Sequence, residues 1–240
     1  MKKILCMILA LIFVLALIPA ASADFEPAEG TPYGIPLFET VNDIDLAAVC
    51  AGHSTRRLLD LTGNIEVKYD LLQTMQGQTV KMLVDDFTFL DDGQYVNYSV
   101  QTDKTYNSTS YQLFLYDKDD PYYYVKHMGG RDKFEAQAEY IDSMLDYSFC
   151  PFDPDYWTID IVSAEVVDGL YVYELDVKLK EDLQVENDMT MDNCTLKLDP
   201  ETSLIRGYSY HRVISNYGEM TQTAEVNYGV DQKPDYSIKY

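Results

Sequence analysis

Residues 196–212 read LKLDPETSLIRGYSYHR, and the fold turns on how they are parsed. Two β-like runs flank Asp199-Pro200-Glu201-Thr202, and beyond the break Leu204, Arg206, Tyr208, Tyr210 and Arg212 fall on alternate positions. Alternation with a period of two marks a pleated strand with two unlike faces. Asp and Pro suit the first two positions of a turn, because the carboxylate accepts from nearby backbone and the ring fixes φ. The flanking runs are too long and too alternating for a catalytic loop. The stretch is expected to be one hairpin in a broad sheet.

The same character extends outward. In YVYELDVKL, Tyr171, Tyr173, Leu175, Val177 and Leu179 share one face, opposite Glu174, Asp176 and Lys178. Five runs between residues 64 and 128, rich in Tyr, Val, Phe and Thr, are separated by turn residues and read as an antiparallel meander. DMTMDNCTLKL, SLIRGYSYHRVI and EMTQTAEVNYGV complete a second set of strands. The 21 tyrosines fall mostly inside these runs, as suits an aromatic with a polar tip on a half-wet pleated surface.

Helices are expected at two places. Asn42-Asp43 offers a cap for a helical stretch from Ile44 to about Leu61, with Gly52 weakening its middle and leaving room for two short helices. A second helix is predicted from Arg131 to about Tyr147, where Phe134, Ala138, Ile141 and Leu145 form an apolar stripe at steps of four, three and four. Residues 24–43, with three prolines and two glycines before Thr40, read as an extended, poorly structured arm, and residues 44–240 as one domain.

The N-terminus carries a compartment signal. MKK, an apolar run from Ile4 to Ile18, and PAASA match a signal peptide over residues 1–23, with cleavage expected between Ala23 and Asp24. The apolar run is shorter than the ~20 residues of a spanning helix, so no stable membrane insertion is expected after cleavage. Losing Lys2 and Lys3 would move the net charge from −22 to −24. So acidic a chain is a poor partner for nucleic acid or anionic lipid surfaces, which recruit Lys and Arg.

Chemistry-bearing motifs are absent from the sequence. His53, His127 and His211 lie in no metal-ligand spacing and read as surface or strand-end residues. No nucleophile elbow, phosphate-binding loop or dinucleotide fingerprint occurs. The acid clusters, Asp85-Asp86 among them, match no calcium loop and read as solvated turns. Cys50, Cys150 and Cys194 are spaced too widely for a C-x-x-C motif; in an oxidising compartment two of them can pair, or all three can sit buried as small apolar side chains. No cofactor, metal or catalytic residue is assigned.

The order of elements and two short stretches, VDGLYVYELDV and CTLKLDPETSLIRGYSY, resemble the outer-membrane lipoprotein carrier superfamily and the related mycobacterial cell-envelope lipoproteins. The likeness covers residues 44–230 by element order; the chain departs in lacking a lipobox and in its tyrosine content and acidity. The resemblance implies an α+β fold: a single strongly curved antiparallel sheet, an incomplete barrel of about ten strands, with helices covering its concave face. It also implies a non-enzymatic exported protein binding an apolar or lipid-like ligand. The expected cavity lining is Phe134, Ala138, Ile141, Leu145, Tyr171, Tyr173, Leu175 and Val177. Two alternatives stand beside it: helices that fill the barrel as a solid core, and a cell-surface module that meets an exported protein partner through tyrosine-rich faces.

Overall fold

The structure, a computed structural model, describes residues 26–117, 122–127, 130–135, 145–146, 148–183, 189–215 and 217–231. The leader and its expected cleavage point lie outside these residues. Eleven strands form one open, curved antiparallel sheet. They are β1 (Asn64–Met75), β2 (Gln78–Asp91), β3 (Ser-bearing Gln94–Asp103), β4 (Ser108–Asp117), β5 (Tyr122–His127) and β6 (Gly130–Glu135). After a crossing come β7 (Trp157–Val167), β8 (Leu170–Leu179), β9 (Met189–Leu198), β10 (Ile205–Ile214) and β11 (Gly218–Tyr228). The spatial order is β6-β5-β4-β3-β2-β1-β11-β10-β9-β8-β7.

This order describes two meanders joined at their inner strands. The first runs outward from β1 to the edge at β6. The chain then crosses to the far edge, and the second runs inward from β7 until β11 pairs with β1, Ile65 opposite Tyr228 and Met75 opposite Gly218. The quoted stretch is the β9–β10 hairpin. Asp199 Oδ1 accepts from the Glu201 N–H (2.9 Å), Oδ2 accepts from Arg206 (2.9 Å from Nη2), and the Asp199 N–H donates to Leu204 O (2.9 Å).

Two short helices precede the sheet: α1 (Leu46–Gly52) and α2 (Thr55–Thr62). The expected stretch is thus broken just past Gly52, and its cap lies later than the sequence suggested. Asp45 caps α1 by accepting from the Ala48 N–H (3.1 Å), while Asp43 accepts from Thr40. Ser54 caps α2, and Gly63, in the left-handed region at φ +78°, ends it and turns the chain into β1.

Three expectations need correction. Among the described residues the strands number eleven, not about ten. The predicted helix at Arg131–Tyr147 is a strand over its first part: residues 130–135 pair with β5, Gly130 opposite His127 and Phe134 opposite Tyr123. Sheet pairing there overrides a helical stripe. Its Ala138 and Ile141 lie outside the described residues. Among the described residues the helices also do not cover a whole face.

The main core lies over the second meander and β1. Leu58, Leu59, Val49 and Cys50 of the helices meet Tyr173, Leu175 and Val177 of β8, Leu196 and Leu198 of β9, Tyr208 and Tyr210 of β10 and Val226 of β11. The arm, which has no helix or strand among its described residues, nevertheless contributes Ile35 (0% exposed) and Phe38. It is anchored by Ser203, whose hydroxyl donates to Pro36 O (2.6 Å), and by Arg57, which donates to Tyr33 O. Gly34 permits this approach: at φ +69°, a Cβ would lie 2.6 Å from the Arg57 guanidinium and 2.8 Å from the Pro27 ring.

A second core lies on the opposite face of the first meander. In β2 the buried positions are Val80, Met82 and Val84, then Phe87 and Phe89, so the apolar phase slips by one at Asp85-Asp86. The β1–β2 register runs without a shift, so the slip carries Phe87 and Phe89 to the other face. There they join Val96, Leu113 and Leu115, with Val230 packed on them. The Asn64 side chain fixes that terminal segment, accepting from the Val230 N–H (2.8 Å) and donating to its carbonyl (3.1 Å).

Candidate functional site

The expected cavity lining is spent on packing where it is described. Tyr173 (0% exposed), Leu175 and Val177 sit inside the main core, Tyr171 is half-buried with its hydroxyl donating to Phe38 O (3.4 Å), and Leu145 is buried. The side chain of Phe134 is not described.

The face that carries the helices, here the inner face, instead shows three polar features, two buried and one half-buried. The first is His53, fully buried rather than on the surface. Its Nδ1 is 2.5 Å from Val49 O and its Nε2 accepts from the Ile205 N–H (3.0 Å), which fixes a neutral ring with the proton on Nδ1. Phe149 packs edge-on against the ring, and its N–H donates to His53 O (3.2 Å). Burial lowers the imidazole pKa to about 4. The residue locks α1, the crossing segment and β10 together.

The second feature is Asp86. Register places it across from Val67 on the inner face. Burial pushes its carboxyl up to about 6, against hydrogen bonds from Ser99 and Asn97 that pull the other way. Its Oδ1 is shielded from solvent and meets no donor among the described residues. Beside it Tyr69, Tyr208, Tyr210 and Gln222 form a hydrogen-bonded row, with Tyr210 donating to Gln222 Oε1 (3.0 Å) and Gln222 to Tyr208 (3.3 Å).

The third feature lies at the end of the sheet where β1, β10 and β11 meet. A recess of about 20 Å³ is lined by Gln73, Met75, Arg212, Ile214 and Met220, with Tyr217, Gly218 and Glu219 at the β10–β11 turn. Gly218 brings the turn against β1: a Cβ there would lie 2.1 Å from Thr74 O. Arg212 is 8% exposed, its guanidinium lies 5.0 Å from the centre of the Tyr210 ring, and its Nε meets no acceptor among the described residues. No carboxylate of the described residues pairs with it. A buried cation without a counter-charge is costly unless something supplies one.

Arg212 lies on the strand that the alternation of residues 204–212 predicts. Its signal was a charge in phase with Tyr208 and Tyr210, both buried. Asp86 likewise announced itself by the phase slip around it. Among the described residues no three His, Cys, Asp or Glu side chains gather as metal ligands, and no helix is long and apolar enough to cross a membrane.

No family model matches the chain, and no curated protein does. Among solved structures it is similar to a DUF1329 family protein from Desulfovibrio piger, at 10% identity over 73% of this chain and 89% of that one, with a TM-score of 0.31. That likeness is too distant to transfer a ligand or a role.

Proposed function

We propose that the protein is a non-enzymatic exported binding protein for an apolar or lipid-like ligand with an anionic head, in the manner of the lipoprotein carrier superfamily it resembles. One observation carries this reading: the buried Arg212, whose Nε meets no acceptor among the described residues, in a recess that Met75, Ile214, Met220 and Glu219 also line. A carboxylate or phosphate oxygen would supply both the missing acceptor and the missing charge. The recess is of the size that holds a single water, so it admits one oxygen of the head and not the chain. The chain would leave past the thioether and aliphatic side chains, and Met is well suited to repack around it. Each methylene that these side chains cover gains about 0.8 kcal/mol, set against association costs of several kcal/mol.

Delipidated protein titrated with a fluorescent twelve-carbon fatty acid should saturate. Arg212→Met should weaken binding at least tenfold, and the matching fatty alcohol should bind as weakly to wild type as the acid does to the variant. No saturable binding, or equal affinity for acid and alcohol, would sink the proposal.

A second reading has its own support. On the edge strand β7, Ile161, Val162, Val166 and Val167 are 40–66% exposed, an apolar edge of the kind that accepts an added strand. If an exported protein partner docks there, Val162→Lys should abolish its capture and leave fatty-acid binding intact.

A further inference from the structure

We infer that Cys50 and Cys150 are joined as a disulfide in the mature protein, while Cys194 remains a free thiol. The inference rests on the export reading only for the oxidising compartment; the pairing itself rests on geometry. The two sulfurs lie 3.0 Å apart, in a site where Cys50 is 2% and Cys150 0% exposed. The sulfurs face each other within about 1 Å of the ~2.05 Å bond length, so the bond closes by a small approach of the two side chains. Around them the site is fixed on every side. Cys50 Sγ lies 3.2 Å from Phe152 O, and Ser148 accepts from the Cys150 N–H (3.2 Å). Residues 54 and 148 form a β-bridge beside the pair. Cys194 is elsewhere, on β9, with its sulfur 3.5 Å from Asp192 O.

The bond ties α1 to the segment crossing between the sheet's edges, so the loop it closes contains the whole first meander, β1 to β6. Its formation oxidises two thiols and needs an electron acceptor. The acceptor is a second disulfide, that of a thiol oxidoreductase or of a small-molecule thiol. The thiolate of one cysteine attacks that disulfide and releases one of its sulfurs. The other cysteine, deprotonated, then attacks the mixed disulfide; Cys50–Cys150 forms, and the acceptor leaves as two thiols carrying the two protons. The folded site excludes such a reagent, and the hydrogen bond to Cys150, with burial, holds the Cys50 thiol in its protonated form. Oxidation therefore precedes the docking of α1, and once docked the bond resists external reductants until the protein unfolds.

The full chain with its leader is exported into an oxidising compartment, denatured without reductant, alkylated and mapped by mass spectrometry. The expected result is a linked Cys50–Cys150 peptide and a single alkylated Cys194. Three alkylated cysteines, or a link through Cys194, would overturn the inference. A parallel sample, unfolded, reduced and refolded in mixed oxidised and reduced glutathione, separates the pairing from the compartment. A Cys50–Cys150 link there, beside free thiols and an uncleaved leader in the cell, refutes export and with it the bond in the mature protein. No link in either sample refutes the pairing itself. Reduction should raise the unfolding equilibrium constant on the order of a thousandfold, since the bond closes a loop of about a hundred residues. Cys194→Ser should retain that response, and Cys50→Ser should lose it.

Discussion

The two halves of the sheet solve the same burial problem on opposite faces. Over β7–β11 and β1 the inner face is covered by the arm, α1, α2 and the crossing segment, with Phe152 wedged edge-on against the Tyr208 and Tyr210 rings. Val80, Met82 and Val84 of β2 still bury on the inner face with Leu71, but past Asp85-Asp86 and over β3 and β4 the larger apolar side chains turn to the other face, where Phe87, Phe89, Val96, Leu113 and Leu115 meet the chain that follows β11. The inner face there keeps Asp86, Thr88, Asn97 and Ser99. A strand's alternation fixes that it has a wet and a dry side, and one extra polar residue decides which side is dry. In β2 that decision reverses halfway along.

The largest effect should come from emptying each core. Phe152→Ala is expected to cost about 4 kcal/mol and Phe89→Ala about 3 kcal/mol, since both rings are fully buried and the second core is smaller. Because the two cores share no residue, the double variant should lose the sum to within about 0.5 kcal/mol, read from urea unfolding. A coupling well above that would mean one core, not two.

A subtler contrast concerns protons. The native Asp86 carboxyl, at about 6 against 3.8 when unperturbed, holds a proton the unfolded chain has released, so its contribution is lost as pH rises from about 4 to 6. His53 has the opposite sign. Its ring stays neutral in the native state down to about 4 while the unfolded imidazole, at 6.5, takes up a proton, so stability is lost as pH falls from 6.5 to 4. Each amounts to roughly 3 kcal/mol at about 1.4 kcal/mol per pKa unit, and across the shared window they offset one another. Asp86→Asn should therefore stabilise at pH 7 by up to about 3 kcal/mol and, relative to wild type, lose that advantage on acidification to pH 4. Urea midpoints at pH 7, 6, 5 and 4 check this; parallel profiles for variant and wild type would refute it.

The smallest effect is expected at the surface between the halves. Arg56 of α2 pairs with Asp146 (2.7 Å) and lies over the Tyr95 ring of β3, but both charged groups are a third or more exposed. Asp146→Asn should change stability by less than about 1 kcal/mol, and added salt should erase the difference.

Much of this was legible in the sequence. The β8 alternation of Tyr173, Leu175 and Val177 and the β9–β10 turn at Asp199-Pro200 needed only a period of two and a turn rule, and both hold. The break after Gly52 was also foreseeable from the weakness of glycine within a helix. What misled was a period that fits two structures. Phe134 belongs to a helical stripe on paper, yet it lies in a six-residue edge strand held by β5, a tertiary partner no local window contains. His53 and Asp86 were misplaced for a related reason: a polar residue reads as exposed until its partners, here Val49, Ile205, Ser99 and Asn97, are known.

The pairing of β1 with β11 carries a consequence for how the chain matures. The strand at the middle of the sheet is made early, and the neighbour that completes it is the last of the eleven. A chain emerging N-terminus first would complete the β1–β6 meander with one flank of β1, including Ile65, Val67 and Leu71, still lacking a partner. Pairing so distant in sequence closes slowly, because the entropy of a long loop must be overcome before any contact rewards it. The half-made protein is thus a sheet with a raw apolar margin, the form most open to sticking to its own kind. A holding chaperone that masks that margin until β11 arrives would matter more to its yield than any single contact in the finished fold.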